Sequence, residues 1–248
     1  MNLRSSSLLL SALPLALALA ACDKKADTAA APNGSPIAKI AAPAGKSWAD
    51  TVTKTADGGY LMGNPAAPIK LMEVGALSCS HCAEFSEAAA AEIRDNFVAS
   101  GRVSFEIRLH MNNALDVPAA LLVTCGPVEA TIPLADQFWA NQKAMFAALQ
   151  QNEALYQSAE KQAPEQRFAT IARAGGMDTF FAARGIAADQ AKACLADANK
   201  ATAFVAATDK TGRDLEITGT PTFFINGSKL EVNTWPMVKV ELEKAGAR

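Results

Sequence analysis

The sequence has little surplus charge and few aromatic rings. Its 23 Lys and Arg residues nearly balance its 25 Asp and Glu residues, for a formal net charge of −2. Such a balance offers no basic face for nucleic acid and no acidic block for a solvated tail. Aromatic residues make up 6% of the chain, which does not suit the aromatic-rich strands of an all-β sandwich. Only two histidines are present, His81 and His110, so a histidine-built metal centre has little material. No internal repeat is visible. What is plentiful is alanine, and half of the 248 residues are apolar. That composition favours helices and is enough to bury one large core or two small ones.

The one extended apolar run, residues 8–21, is broken by Ser11 and Pro14 and is shorter than the roughly 20 residues a membrane-spanning helix needs. It follows a short positive start, Met1-Asn2-Leu3-Arg4, and ends in Leu19-Ala20-Ala21-Cys22. Length, charge and small residues before the cut fit a secretory signal over 1–21. A Cys at the first mature position resembles the lipobox of bacterial lipoproteins, which implies acylation at Cys22 and a lipid anchor in a membrane surface. An ordinary signal peptide with an unrelated Cys is the alternative. Residues 22–47 hold much Ala, Pro, Lys, Asp and Gly and almost no large apolar side chain, so they read as a flexible tether.

Five cysteines occur: Cys22, Cys79, Cys82, Cys125 and Cys194. Setting aside an acylated Cys22 leaves an even number, as expected in an oxidising compartment. Cys125 and Cys194 stand alone in sequence, and the economical assignment pairs them. That bond would close a loop of about 70 residues, for which chain entropy predicts about 4 kcal/mol of stabilisation. Cys79 and Cys82 belong to Cys79-Ser80-His81-Cys82. A structural zinc site needs a second closely spaced ligand pair, which Cys125 and Cys194 do not form. A c-type haem needs His directly after the second Cys, where Ala83 stands. Redox chemistry is the leading reading, with a metal site and an inert disulfide as its rivals.

The surrounding sequence suits redox chemistry. Ile69-Lys70-Leu71-Met72-Glu73-Val74 reads as a buried strand. After the motif, residues 83–94 are strong helix formers, with Phe85, Ala89, Ile93 and Phe97 as an apolar stripe. Cys79 therefore lies where a strand enters a helix N-terminus. Free backbone N–H groups and the helix dipole stabilise an anion there, and a thiolate is the nucleophile in disulfide exchange. Cys82, one turn later, is placed to close a disulfide and to resolve a mixed one. An imidazole at His81 would favour the Cys79 thiolate further, the alternative being an exposed residue without a role. His110 ends an apolar strand-like run and reads as structural.

With these residues in hand, the region from about Gly59 to the C-terminus resembles the DsbA family of periplasmic disulfide oxidoreductases. The opening Gly63-Asn64-Pro65-Ala66-Ala67-Pro68 is similar to that of many relatives. Glu73, six residues before Cys79, matches a buried acidic position that the family uses to move the second thiol's proton; an ordinary strand-end Glu is the alternative. Ile217-Thr218-Gly219-Thr220-Pro221-Thr222-Phe223-Phe224-Ile225 resembles the family's second signature. It implies a cis Thr220–Pro221 bond that presents the Thr220 backbone to an extended client segment. Ser80 stands where the best-known strong oxidants have Pro, and Thr220 replaces an aliphatic residue of some relatives. Asn226-Gly227 reads as a hairpin turn, and a last helix runs from Trp235, with Thr234 as N-cap and Gly246 as its stop.

The resemblance implies an α/β thioredoxin fold with an inserted helical domain. Its parts would be a first thioredoxin portion at 48–110, a helical insertion at 111–214 and a second thioredoxin portion at 215–248. The aromatics Phe138, Trp139, Phe146, Phe180 and Phe181 would form the insertion's core, and Cys125–Cys194 would staple it. No cofactor is expected. The expected partners are exported proteins with cysteines, a quinone-linked membrane oxidase that renews the disulfide, and the membrane itself through the lipid. The expected location is the bacterial periplasm or cell envelope. A periplasmic reductase or isomerase is the first alternative function, and a redox-inactive client-binding lipoprotein the second.

Overall fold

The computed structural model describes residues 34–248. The expected signal segment and Cys22 lie outside the described residues. Six strands form one mixed sheet: β1 (Val52–Lys54), β2 (Tyr60–Gly63), β3 (Ile69–Gly75), β4 (Val103–Leu109), β5 (Thr222–Ile225) and β6 (Ser228–Lys229), in the spatial order β1-β2-β4-β3-β5-β6. β3 and β4 run parallel, and every other pairing is antiparallel. The helix α1 (Ser80–Glu92) provides the crossover between the parallel strands. β3 is central, between β4 and β5, and its Ile69, Leu71 and Val74 are buried as a doubly flanked strand requires.

Between β4 and β5 the chain makes eight helices: α2 (Asp116–Val123), α3 (Thr131–Ala140), α4 (Gln142–Gln151), α5 (Glu153–Ser158), α6 (Pro164–Ala174), α7 (Met177–Ala182), α8 (Ala188–Leu195) and α9 (Ala198–Asp214). All of them fall within 111–214. Phe138, Phe180 and Phe181 are buried together, with ring centroids 5.0–5.7 Å apart. These rings fill the insertion's core.

α1 continues into a π-helical turn, Ile93–Val98. The π turn has a reason in the apolar stripe. A spacing of four residues overshoots an α-helical turn by about 40° at each step. The wider π turn reverses part of that drift, and Phe85, Ala89, Ile93 and Phe97 are all buried. The last helix, α10 (Trp235–Lys244), sets Trp235 edge-on against Phe85 and Phe97, at 6.0 and 5.7 Å. Thr234 is the N-cap residue of α10, but its hydroxyl makes no capping bond; Pro236, in the first turn, has the φ a helix start needs.

The tether expected at 22–47 is corrected for part of its length. Gly34 N–H donates to Lys244 O at 2.8 Å, Ile37 N–H to Gly246 O at 3.0 Å and Ile40 N–H to Ser100 O at 2.9 Å. Residues 34–40 therefore lie along the end of α10 and the turn after Val98. Gly246 has φ +106°, and a Cβ there would come within 2.8 Å of Ser35 O. The same glycine thus ends α10 and admits the strap. Hydropathy could not reveal this docking, because backbone hydrogen bonds carry most of it.

Candidate active site

The loop from β3 to α1 holds the cysteine pair. Cys79 is the N-cap residue of α1, in an extended conformation, and no side chain caps the helix. The first-turn N–H groups are left for its sulfur, and those of His81 and Cys82 favour the thiolate. The peptide bond Thr220–Pro221 is cis, and the Cys79 thiol donates to Thr220 O at 3.1 Å. Asn112 Nδ2 donates to Thr220 Oγ1 at 2.8 Å, which leaves the threonine hydroxyl proton free to turn toward the sulfur.

The two thiols are held very differently. Cys79 is half-buried, and its pKa is lowered to about 5, chiefly by the hydrogen bond from the Cys82 thiol, with help from Thr220 and the two backbone amides and against the effect of burial. Cys82 is fully buried, and burial pushes its thiol far up, reinforced by its bond to Cys79 and by the charges of Glu73 and Cys79. Glu73, on β3, is also buried, and its Oε1 has no hydrogen-bond partner. Burial holds its carboxyl well above the usual range, with lesser contributions from the charges of Asp136 and Cys79. Gly75 makes room for this group, since a Cβ there would lie 2.8 Å from Glu73 Oε1.

The structure brings Cys79, Cys82, Glu73, Thr220 and Pro221 together. His81 is turned aside: its ring is exposed, and Nδ1 lies 3.0 Å from Glu84 Oε2. Hydrogen bonding to Glu84 is the main cause that raises the imidazole pKa. The sulfur receives the backbone N–H of residue 81 directly, and the imidazole acts on it only as a nearby charge. Cys125 and Cys194 are bonded to each other, S–S 2.05 Å, joining the end of α2 to α8. No group of three or more His, Cys, Asp or Glu residues is arranged for a metal among the described residues.

A family model described as thioredoxin matches residues 55–243. The chain belongs to the thioredoxin family. Within that family it is 28% identical to a protein-disulfide isomerase from Novosphingobium aromaticivorans, with a TM-score of 0.70 over 76% of this chain and 99% of that one. The alpha-DsbA1 of Wolbachia pipientis shares the fold at 18% identity and a TM-score of 0.60, over 75% of this chain and 90% of that one. A Rickettsia prowazekii protein provisionally named protein-disulfide oxidoreductase is 23% identical over 194 residues, 77% of this chain and 63% of its own length. The chain thus spans less than two thirds of the curated relatives it matches. Its fold is the DsbA-like one: a thioredoxin sheet with a helical insertion.

In this thioredoxin-family chain the insertion also builds the site, through residues that sequence reasoning missed. Asp116 is fully buried at the start of α2. Its Oδ1 accepts from Ser78 N at 2.8 Å; its Oδ2 accepts from Ser78 Oγ, Asn112 N and Asn113 N at 2.9 Å each. Trp139 Nε1 donates to Ala76 O at 3.0 Å, and Gln142 Nε2 donates to both Leu77 O and Cys79 O at 3.0 Å. Three side chains from the insertion therefore hold the four residues that precede α1. The only sequence signal was Asn112-Asn113 ahead of Asp116, a cluster of turn formers at a strand end.

Proposed function

We propose that this protein is a thiol:disulfide oxidoreductase that donates a Cys79–Cys82 disulfide to exported proteins. The unequal pair carries the reading: a half-buried thiol lowered to about 5 beside a buried thiol pushed far up. In client oxidation, a client thiolate attacks the Cys79 sulfur. The Cys79–Cys82 bond breaks, and Cys82 leaves with the electron pair and takes up one proton. A second client thiolate then attacks the client sulfur of the mixed disulfide. A client disulfide forms, and Cys79 leaves as the thiolate that its surroundings stabilise. Both electrons end on the enzyme's two sulfurs.

The direction follows from that last step. Stabilising the thiolate of the reduced enzyme makes its disulfide the stronger oxidant, and each pKa unit is about 1.4 kcal/mol, or about 30 mV for two electrons. The cleft of about 280 Å³ beside Pro221, bounded by Gly219, Lys229 and Glu231, gives an extended client segment room beside Thr220. By this reading Cys22 carries the lipid, the enzyme works at a membrane surface in the periplasm, and a quinone-linked membrane oxidase renews its disulfide.

A reductase or isomerase is the second reading, favoured by the 28% identity to a protein-disulfide isomerase. The reduction potential separates the two. Equilibration with glutathione buffers should give a value on the order of −120 mV for a disulfide donor. A value near −270 mV, that of thioredoxin, would overturn donation in favour of reduction.

A further inference from the structure

A buried thiol that alternates between thiol and disulfide must gain and lose one proton per cycle, and Cys82 is fully buried. Glu73, on β3, is the acid whose charge acts on Cys82, but it is buried too, and its Oε1 is unpartnered. A group in that position can take the proton yet cannot pass it to solvent unaided.

A second carboxyl lies beyond it. Glu73 and Asp136 line one cavity of about 10 Å³, closed by Met62, Phe85, Ile93 and Ile132. That is room for about one water molecule. Two carboxyls and the Ser86 hydroxyl on the wall supply the polar partners a water needs. Asp136 comes from α3, in the insertion, and Ser86 Oγ donates to its Oδ1 at 2.8 Å, fixing the carboxyl against α1. Unlike Glu73, the residue reaches the surface in part. The charged groups that face it are Glu73 from β3 and Arg94 from the π turn. Burial raises its pKa to about 6, against the Ser86 bond and the Arg94 charge, so the group can load and release protons near neutrality.

We propose that Asp136 is the outer member of a two-carboxyl proton path serving Cys82, with Glu73 as the inner member and one water bridging them. The proposal rests on the exchange chemistry assigned above. When Cys82 attacks Cys79 in a mixed disulfide, the Cys79–Cys82 bond forms, the bond from Cys79 to the partner sulfur breaks, and that sulfur leaves as a thiolate with the electron pair; the Cys82 proton passes to Glu73, then through the water to Asp136 and out. Opening the disulfide runs the path in reverse. The helical insertion thereby contributes to the proton step of a reaction whose sulfurs lie in the thioredoxin portion.

The test uses the protein with glutathione attached to Cys79, and follows release of glutathione as Cys82 closes the ring. Asp136→Asn should slow release roughly a hundredfold and remove an inflection near pH 6 from its pH profile. Small buffers such as imidazole should restore part of the rate, and Asp136→Glu should keep most of it. Alkylation of Cys79 by iodoacetamide, which needs no proton from Cys82, should change less than twofold in either variant. Unchanged release in Asp136→Asn would overturn the proposal. So would slowed release accompanied by an equal loss of Cys79 alkylation and no buffer rescue, because that pattern marks a packing defect. If Asp136→Asn does not fold, Ser86→Ala, which frees the Asp136 carboxyl, should show the same buffer-rescued slowing, and a wild-type rate there would count against the path. A wild-type protein that never releases glutathione would instead sink the exchange reading itself.

Discussion

The chain carries two cysteine pairs, one in each half of its architecture, and the same element behaves differently in each. In the insertion, Cys125 and Cys194 are 69 residues apart and bonded to each other. In the thioredoxin portion, Cys79 and Cys82 are free thiols one helical turn apart. They are surrounded by a helix N-terminus, a buried acid and a cis-proline loop. The first pair constrains the chain, and the second is set up to exchange. What separates them is the environment of the sulfur: burial and hydrogen bonding set whether a thiolate is accessible at neutral pH.

The sharpest way to break this contrast is to remove the exposed sulfur. Cys79→Ala should abolish turnover of reduced clients or insulin, and residual activity above the uncatalysed rate would show that the nucleophile lies elsewhere. Cys82→Ala should stall the enzyme as mixed disulfides through Cys79, recoverable from client mixtures on non-reducing gels; their absence would remove Cys82 from the resolving step. The double variant Cys125→Ser, Cys194→Ser should leave the Cys79–Cys82 potential within about 30 mV. Its stability should fall by up to about 4 kcal/mol, or roughly 10 °C in Tm. A large change in potential would mean that the two pairs are not separate.

Acid should weaken the reduced enzyme in a defined window. The Cys79 thiol has a folded pKa of about 5 and an unfolded value of about 8.5. The unfolded chain binds the extra proton between these values, so folding stability rises with pH across the window. This contribution is complete above about 8.5 and is lost as pH falls through 5. Thermal melts of the reduced protein against Cys79→Ser should diverge as pH rises from 5 to 8.5, and parallel curves would contradict the lowered pKa. The smallest effect is expected at Gln142. Gln142→Ala leaves Leu77 O and Cys79 O without this donor and should cost about 1–3 kcal/mol, read as a lower Tm with the nucleophile still present.

Much of the fold was legible because it rests on local signals. The run ending in Val74, the stripe through Phe85, Ala89, Ile93 and Phe97, and the Asn226-Gly227 turn all obey spacing rules that need no partner. The Cys79-x-x-Cys82 motif and its position at a helix start were equally plain. What stayed hidden depends on distant contacts. Asp116, Trp139 and Gln142 reach the β3–α1 loop from the insertion across 38 to 65 positions, and nothing in their own neighbourhoods marks them as clamps. Asp136 looks like any polar residue on an amphipathic helix. Glu84, one turn on, takes the His81 imidazole as its hydrogen-bond partner, and composition cannot rank that pair against the sulfur.

The antiparallel pairing of β3 with β5 bears on how the protein comes into being. β3 ends at Gly75 and β5 begins at Thr222, so a ribosome adds the whole insertion between them. Synthesis proceeds from the N-terminus, and domains organise as they emerge. The nascent chain therefore carries an open β3 edge until the whole insertion and β5 have been made. Three of the four described cysteines also appear before Cys194. Pairing across such a separation is intrinsically slow. During that interval the exchange-prone Cys79 and Cys82 are already made while Cys125 still lacks Cys194, so a reactive thiol pair and an unpaired thiol coexist in one unfinished chain.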